Sequence, residues 1–185
     1  MRWYLTSLGG GERLAEQPPL PPLTGDAPLP LLFVNPERRF QAVEGFGGAF
    51  TEAAAVTWQG LGEAAREQLL RDYFCADSGH GYTLCRVHIN SCDFALGNYA
   101  HLPTPGDVAL SGFSIDRDRQ ALLPFIQAAL RVARGPIKLL ASPWSPPAWM
   151  KDNGQMNHGG SLLPQYRPVW AQCFVRFIQI GRAHV

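Results

Sequence analysis

From Gln41 onward the chain alternates between runs suited to a β-strand and runs suited to a helix, and this limits the fold more than any other feature. Residues 43–50 read as a strand that runs into glycine. Residues 63–74 follow with helical spacing and place Leu69, Leu70, Tyr73 and Phe74 for one face. Residues 82–89 read as a second strand. Residues 116–133 are expected to form a helix, opened by Ser114 as N-cap and stopped at Gly135-Pro136. Residues 137–142 make a third strand. Residues 165–178 return to helix, with Trp170, Phe174 and Phe177 at three- and four-residue steps. Strands joined by helical crossovers must lie parallel, so the class is α/β. Two architectures fit, an open doubly wound sheet and a closed (β/α) barrel, and both gather chemistry at the C-terminal ends of the strands.

The first 40 residues differ. They are rich in proline, with short strand signals at residues 3–6 and 31–34. Between them, Gln17-Pro18-Pro19-Leu20-Pro21-Pro22 cannot be helix interior. This stretch reads as a small β element or a linker. At 46% hydrophobic residues, with five Trp and ten Phe, the chain has globular composition. A net charge of +1 gives no broad pull toward nucleic acid or an anionic membrane. No apolar run is long enough to span a bilayer. The N-terminus lacks the apolar core of a signal peptide, so a cytoplasmic location is expected if Met1 is the true start. Cys75, Cys85, Cys92 and Cys173 form no C-x-x-C pair, so neither zinc nor a disulfide framework is expected, and no cofactor is implied.

The residues past each strand carry the functional reading. Gly45-Phe46-Gly47-Gly48-Ala49-Phe50 begins like a dinucleotide fingerprint, but Phe50 stands at the third glycine position. The ribose-binding acid would also fall within a helix. The glycines read instead as a tight approach near a packed barrel rim. After the second strand comes Asp93 beside Phe94. A carboxylate there can accept hydrogen bonds from adjacent sugar hydroxyls or can cap a turn, and the residues alone leave both open. After the third strand, Pro143, Pro146 and Pro147 hold Trp144 and Trp149 in an extended rim. Trp offers a large face to sugar C–H groups and one N–H donor. Two of them in a braced rim favour ligand binding over packing beneath a loop.

Together these segments resemble glycoside hydrolase family 30, the glucosylceramidase-like enzymes. The resemblance rests on Gly45–Thr51, on Arg86-Val87-His88-Ile89-Asn90-Ser91-Cys92-Asp93-Phe94, and on Ala141-Ser142-Pro143-Trp144-Ser145-Pro146-Pro147-Ala148-Trp149-Met150-Lys151. Asn153-Gly154, Gly159-Gly160-Ser161-Leu162 and the helix with Trp170 and Phe174 continue it in register. The resemblance implies the first three βα units of a (β/α)8 barrel over residues 41–179. It implies that residues 1–40 belong to a β-sandwich side domain. It also implies retaining hydrolysis of β-linked glycosides by two glutamates. Asp93 matches the acid that binds sugar hydroxyls, Trp144 the tryptophan of that subsite, and Phe94 its aromatic neighbour. Arg86 matches the arginine that hydrogen-bonds the catalytic carboxylates. Glu52 stands where glucosylceramidases carry Asp, and His88 where some members carry Pro.

Retaining hydrolysis needs two carboxyl groups about 5–5.5 Å apart. No Glu follows Glu67, so both catalytic glutamates are expected to lie beyond Val185 and the fragment to be inactive and poorly folded. Residues 180–185, Ile-Gly-Arg-Ala-His-Val, break the helical pattern and resemble a translated sequencing-adapter read-through, so they are expected to be a non-native tail. The alternative is a non-catalytic carbohydrate-binding protein built on a half barrel.

Overall fold

The computed structural model describes residues 2–20, 25 and 33–182 and divides into two units, Met1–Ala42 and Val43–Val185. In the first unit, β1 (Tyr4–Leu5) pairs antiparallel with β2 (Ala15–Glu16). The partner of the first strand is therefore a near neighbour in the chain. Of the expected strand at 31–34, Leu31 and Leu32 lie outside the described residues, and Phe33 and Val34 are not in a strand. Within this unit the Trp3 indole N–H donates to the Pro18 carbonyl at 2.8 Å.

The second unit is built on three parallel strands. The order is β3 (Ala49–Phe50), β4 (Leu84–Ile89) and β5 (Lys138–Pro143). Strand β3 is shorter than the eight-residue run read from the sequence. Its approach is nonetheless bonded to β4, because the Phe46 carbonyl accepts from the Thr83 and Leu84 N–H groups and Gly48 O accepts from Arg86 N–H. Gly47 is required here: an added Cβ would sit 1.9 Å from the Leu84 carbonyl oxygen.

Two helices follow β3, where the sequence reading had one. Helix α1 (Glu52–Gly60) opens at Thr51, whose hydroxyl accepts the Ala54 N–H at 3.2 Å. Helix α2 (Glu63–Phe74) matches its expected range. The expected single helix at 116–133 is split into α3 (Asp116–Gln120) and α4 (Leu122–Val132). Pro124 is the cause. It has no N–H for the Gln120 carbonyl, and its ring would crowd that carbonyl in a continuous helix. Gln59 fills the gap, its side-chain amide donating to Gln120 O at 2.8 Å. The cap position of α3 is Ile115 rather than the expected Ser114, whose hydroxyl accepts the Asp116 N–H at 3.0 Å from one residue further out. The last helix, α5 (Arg167–Arg182), runs through Ile180 and Gly181 to Arg182, past the break expected at Gln179, because Gly181 is tolerated in a last turn. Residues 183–185 lie outside the described residues.

The core lies between the sheet and its helices. Phe50, Cys85, Val87, Leu139 and Ala141 turn toward α2 and α4 and meet Phe74, Phe125 and Ile126. Phe50 stacks on Phe74 with ring centroids 5.5 Å apart and meets Phe125 edge-on at 5.4 Å. The opposite face of the sheet carries Arg86, His88, Leu140 and Ser142, since successive side chains alternate. Leu140 on that face is 62% exposed. Among the described residues no helix is long and apolar enough to cross a membrane.

Candidate active site

The parallel register decides which residues meet. Arg86 pairs with Leu140 and His88 with Ser142, so the uncovered faces of β4 and β5 point to one side. Arg86 donates from Nη2 to the Ser142 hydroxyl at 2.9 Å. Its guanidinium carbon lies 5.2 Å from the centroid of the Trp144 ring, a cation–π distance. Arg86, His88, Cys92, Phe94, Trp144 and Thr51 line a cavity of about 140 Å³ at the C-terminal ends of the strands. A larger apolar cavity of about 470 Å³ lies among Phe50, Ala54, Trp58, Tyr73 and Phe125, on the helix side of the sheet. Its lining carries no charged side chain, whereas Arg86 and His88 line the smaller cavity, which is therefore the better match to polar chemistry.

The turn that carries Asp93 and Phe94 is held from two sides. At its start Asn90 sits in left-handed backbone with φ of 62°. Its side chain accepts the His101 N–H at 2.9 Å and donates to the Ser145 carbonyl at 2.9 Å, which ties the proline-braced rim to β4. On the other side, the Ala53 N–H donates to the Phe94 carbonyl at 3.0 Å. That donor belongs to the first turn of α1, where backbone N–H groups have no partner within the helix. The Glu52 carboxylate accepts the Leu96 N–H at 2.8 Å. Asp93 is exposed, and its carboxylate acts on the neighbouring Cys92 thiol. Burial pushes that thiol above its ordinary value, Asp93 adds to the rise, and the Phe94 N–H and Arg86 oppose it.

Behind the turn is a largely buried polar network of which the sequence reading named only Glu52. Arg117 donates from Nε to Glu52 at 2.7 Å and lies 4.5 Å over the Tyr99 ring. Tyr99 donates its hydroxyl to Asp118 at 2.8 Å, and the His101 Nε2 meets the other Asp118 oxygen at 2.8 Å. Burial, followed by the Asp118 charge, drives the Tyr99 phenol far above its usual range, so it stays protonated. Each partner here is many residues from the next, and no local motif announces the set.

The sequence-proposed residues therefore divide. Arg86, Phe94 and Trp144 line one cavity, and Asp93 sits between two of its lining residues. Trp149 lies elsewhere: its indole N–H donates to the Leu102 carbonyl at 3.0 Å and its ring meets Tyr166 edge-on at 4.8 Å. The four cysteines are free thiols. Among the described residues no group of three or more His, Cys, Asp or Glu is placed to hold a metal ion.

The family model for the glycosyl hydrolase family 30 TIM-barrel domain matches residues 43–183. The chain belongs to glycosyl hydrolase family 30. Family 30 membership makes the three-stranded parallel sheet part of a TIM-barrel domain. The lysosomal acid glucosylceramidase of Mus musculus is 42% identical over 153 residues, which cover 80% of this chain and 30% of that protein. The structure of SrfJ from Salmonella typhimurium superposes with a TM-score of 0.76 at 43% identity, covering 80% of this chain and 33% of that one. The endo-β1,6-glucanase BT3312 superposes with a TM-score of 0.74 at 26% identity, covering 94% of this chain and 38% of that one. The chain thus spans about a third of the length of these relatives.

Proposed function

We propose that this chain supplies the first part of the barrel of a retaining β-glycosidase that acts on β-glucosides, and that its cavity is one wall of the subsite for the terminal sugar. The observation that carries the reading is Arg86 lying over Trp144, at parallel strand ends, beside the Asp93-Phe94 turn. Trp144 offers a ring face to the C–H groups of the sugar. Asp93 accepts from two adjacent hydroxyls. Arg86 is fixed by Ser142 and Trp144, and it orients and keeps ionised the carboxylates of the reaction. Trp149 takes a supporting part, anchoring the rim to the loop core through Leu102 and Tyr166.

The chemistry itself needs a nucleophilic carboxylate and an acid/base carboxyl about 5–5.5 Å apart. In this reading both come from glutamates outside the 185 residues, since none follows Glu67. Residues 1–40, which include the β1–β2 pair, join a side domain completed by other segments of the parent protein. The purified chain is expected to give no release of nitrophenol from nitrophenyl β-D-glucoside. Turnover that survives purification and is lost in Asp93→Ala would overturn the claim that catalytic carboxylates lie elsewhere.

A further inference from the structure

The turn that presents Asp93 is held by side chains far from it in the chain. The Ala95 N–H donates to the Cys92 carbonyl at 3.0 Å, so Asp93 and Phe94 are the two central residues of a β-turn. The Asp93 side chain is exposed, and it takes its direction from the backbone that carries it. Helix α1 grips that backbone twice. The Ala53 N–H donates to the Phe94 carbonyl at 3.0 Å, and the Glu52 carboxylate accepts the Leu96 N–H at 2.8 Å. The second grip is a side chain, so it holds the turn only while Glu52 is itself held. Arg117 holds it side-on, with Nε donating to Oε1 at 2.7 Å and Nη2 to Oε2 at 3.3 Å. Oε2 thus receives Arg117 and Leu96 together. The guanidinium is fixed in turn, because it lies 4.5 Å over the Tyr99 ring, whose hydroxyl donates to Asp118 at 2.8 Å. Glu52 is 8% exposed, so without its cation the carboxylate would swing toward water or take up a proton.

We propose that Arg117 and Glu52 are positioning residues for sugar binding, which set the Asp93 carboxylate at the angle that meets two adjacent sugar hydroxyls. This rests on Asp93 lying in the glycone subsite. Neither residue lines the cavity, so both act through the turn and not on the sugar. A carboxylate that accepts from two hydroxyls at once needs a defined place and angle, and a turn that wanders loses affinity with Asp93 still present. The pair can therefore be told from one that merely stabilises the fold: its effect on binding vanishes when the Asp93 carboxylate is removed.

The test is a double-mutant cycle of Arg117→Met and Asp93→Ala in the 185-residue chain, with Kd for methyl β-D-glucopyranoside read from tryptophan fluorescence. Arg117→Met keeps an unbranched chain against Tyr99 and removes both donors to Glu52. It should raise Kd about five- to tenfold where Asp93 is present, and less than about twofold in the Asp93→Ala background. In the same variant the Leu96 N–H should exchange faster with solvent, as read by amide NMR. Suppose the glucoside binds and Asp93→Ala weakens it. If Arg117→Met then binds as wild type does, weakens binding equally in both backgrounds, or leaves Leu96 exchange unchanged, the positioning role alone is overturned. If wild type does not bind, or Asp93→Ala binds unchanged, the subsite reading is overturned and the positioning role with it. Should Arg117→Met fail to fold, Glu52→Gln goes through the same cycle, since it keeps an acceptor for Leu96 and gives up the charge that holds Arg117. The same dependence on Asp93 is expected there, and equal effects in both backgrounds would overturn the role.

Discussion

Asn90 occupies left-handed backbone at the end of β4 and uses both ends of its amide on main-chain groups, the buried His101 N–H and the part-buried Ser145 O. Ala at this position leaves both groups unmatched and adds strain to the backbone. Asn90→Ala is expected to lower stability by about 2–4 kcal/mol, read from urea unfolding followed by circular dichroism. A loss below about 0.5 kcal/mol would show that the tie is not formed. The thiols make a second residue-scale test. A hydrogen bond with Ser78, with help from the Asp77 and Ser78 backbone, lowers the Cys75 thiol, so its thiolate forms at lower pH than usual. Burial raises Cys85, Cys92 and Cys173, the last to about 11. Iodoacetamide at neutral pH should therefore label Cys75 first and Cys173 last, as read by peptide mass mapping. At this scale Asp93, Phe94 and Trp144 were legible in the sequence because each follows a strand within a few residues, whereas Arg86, inside β4, was named only through the family resemblance. Asn90 with Ser145, 55 residues apart, and Glu52 with Arg117, 65 apart, were not, because nothing local marks such a pair.

Among the elements, the alternation of strand and helix was legible because apolar residues recur at the spacing each element needs. The misses have particular causes. Helix α1 was hidden because the glycine-rich run before it reads as strand into loop, although Thr51 followed by Glu52-Ala53-Ala54 is a usable start signal. The break at Ala121 follows from Pro124, which interrupts an otherwise periodic apolar pattern. Helix α1 matters to the site because its first turn holds the 93–96 turn through Ala53 and Glu52. Glu52→Ala removes the acceptor for Leu96 N–H and leaves Arg117 unpaired beside Tyr99. It should cost about 1–3 kcal/mol and speed proteolytic cleavage within residues 91–98, seen by limited digestion and mass spectrometry. Unchanged cleavage would mean that the turn is held without α1.

The second unit has a sheet covered by helices on one face and, apart from buried His88, open on the other. Phe50, Val87 and Ala141 meet helices, while Leu140 stays open and both edge strands, β3 and β5, lack an outer partner among the described residues. A barrel closes such a sheet by adding strands to both edges. The chain alone should therefore bind a hydrophobic dye such as anilinonaphthalene sulfonate, and Leu140→Ser should reduce that fluorescence without lowering the unfolding midpoint. Absence of dye binding would show that the face is covered. Family membership and the cavity at the strand ends meet in one claim, that Trp144 forms the wall on which a β-glucoside sits. The direct measurement is tryptophan fluorescence of the chain during titration with methyl β-D-glucopyranoside. One wall of a subsite predicts a saturable change in the millimolar range, on the order of 4 kcal/mol of binding, that is absent in Trp144→Ala and retained in Trp170→Phe. The same saturable change in Trp144→Ala, or none in wild type, would contradict the account.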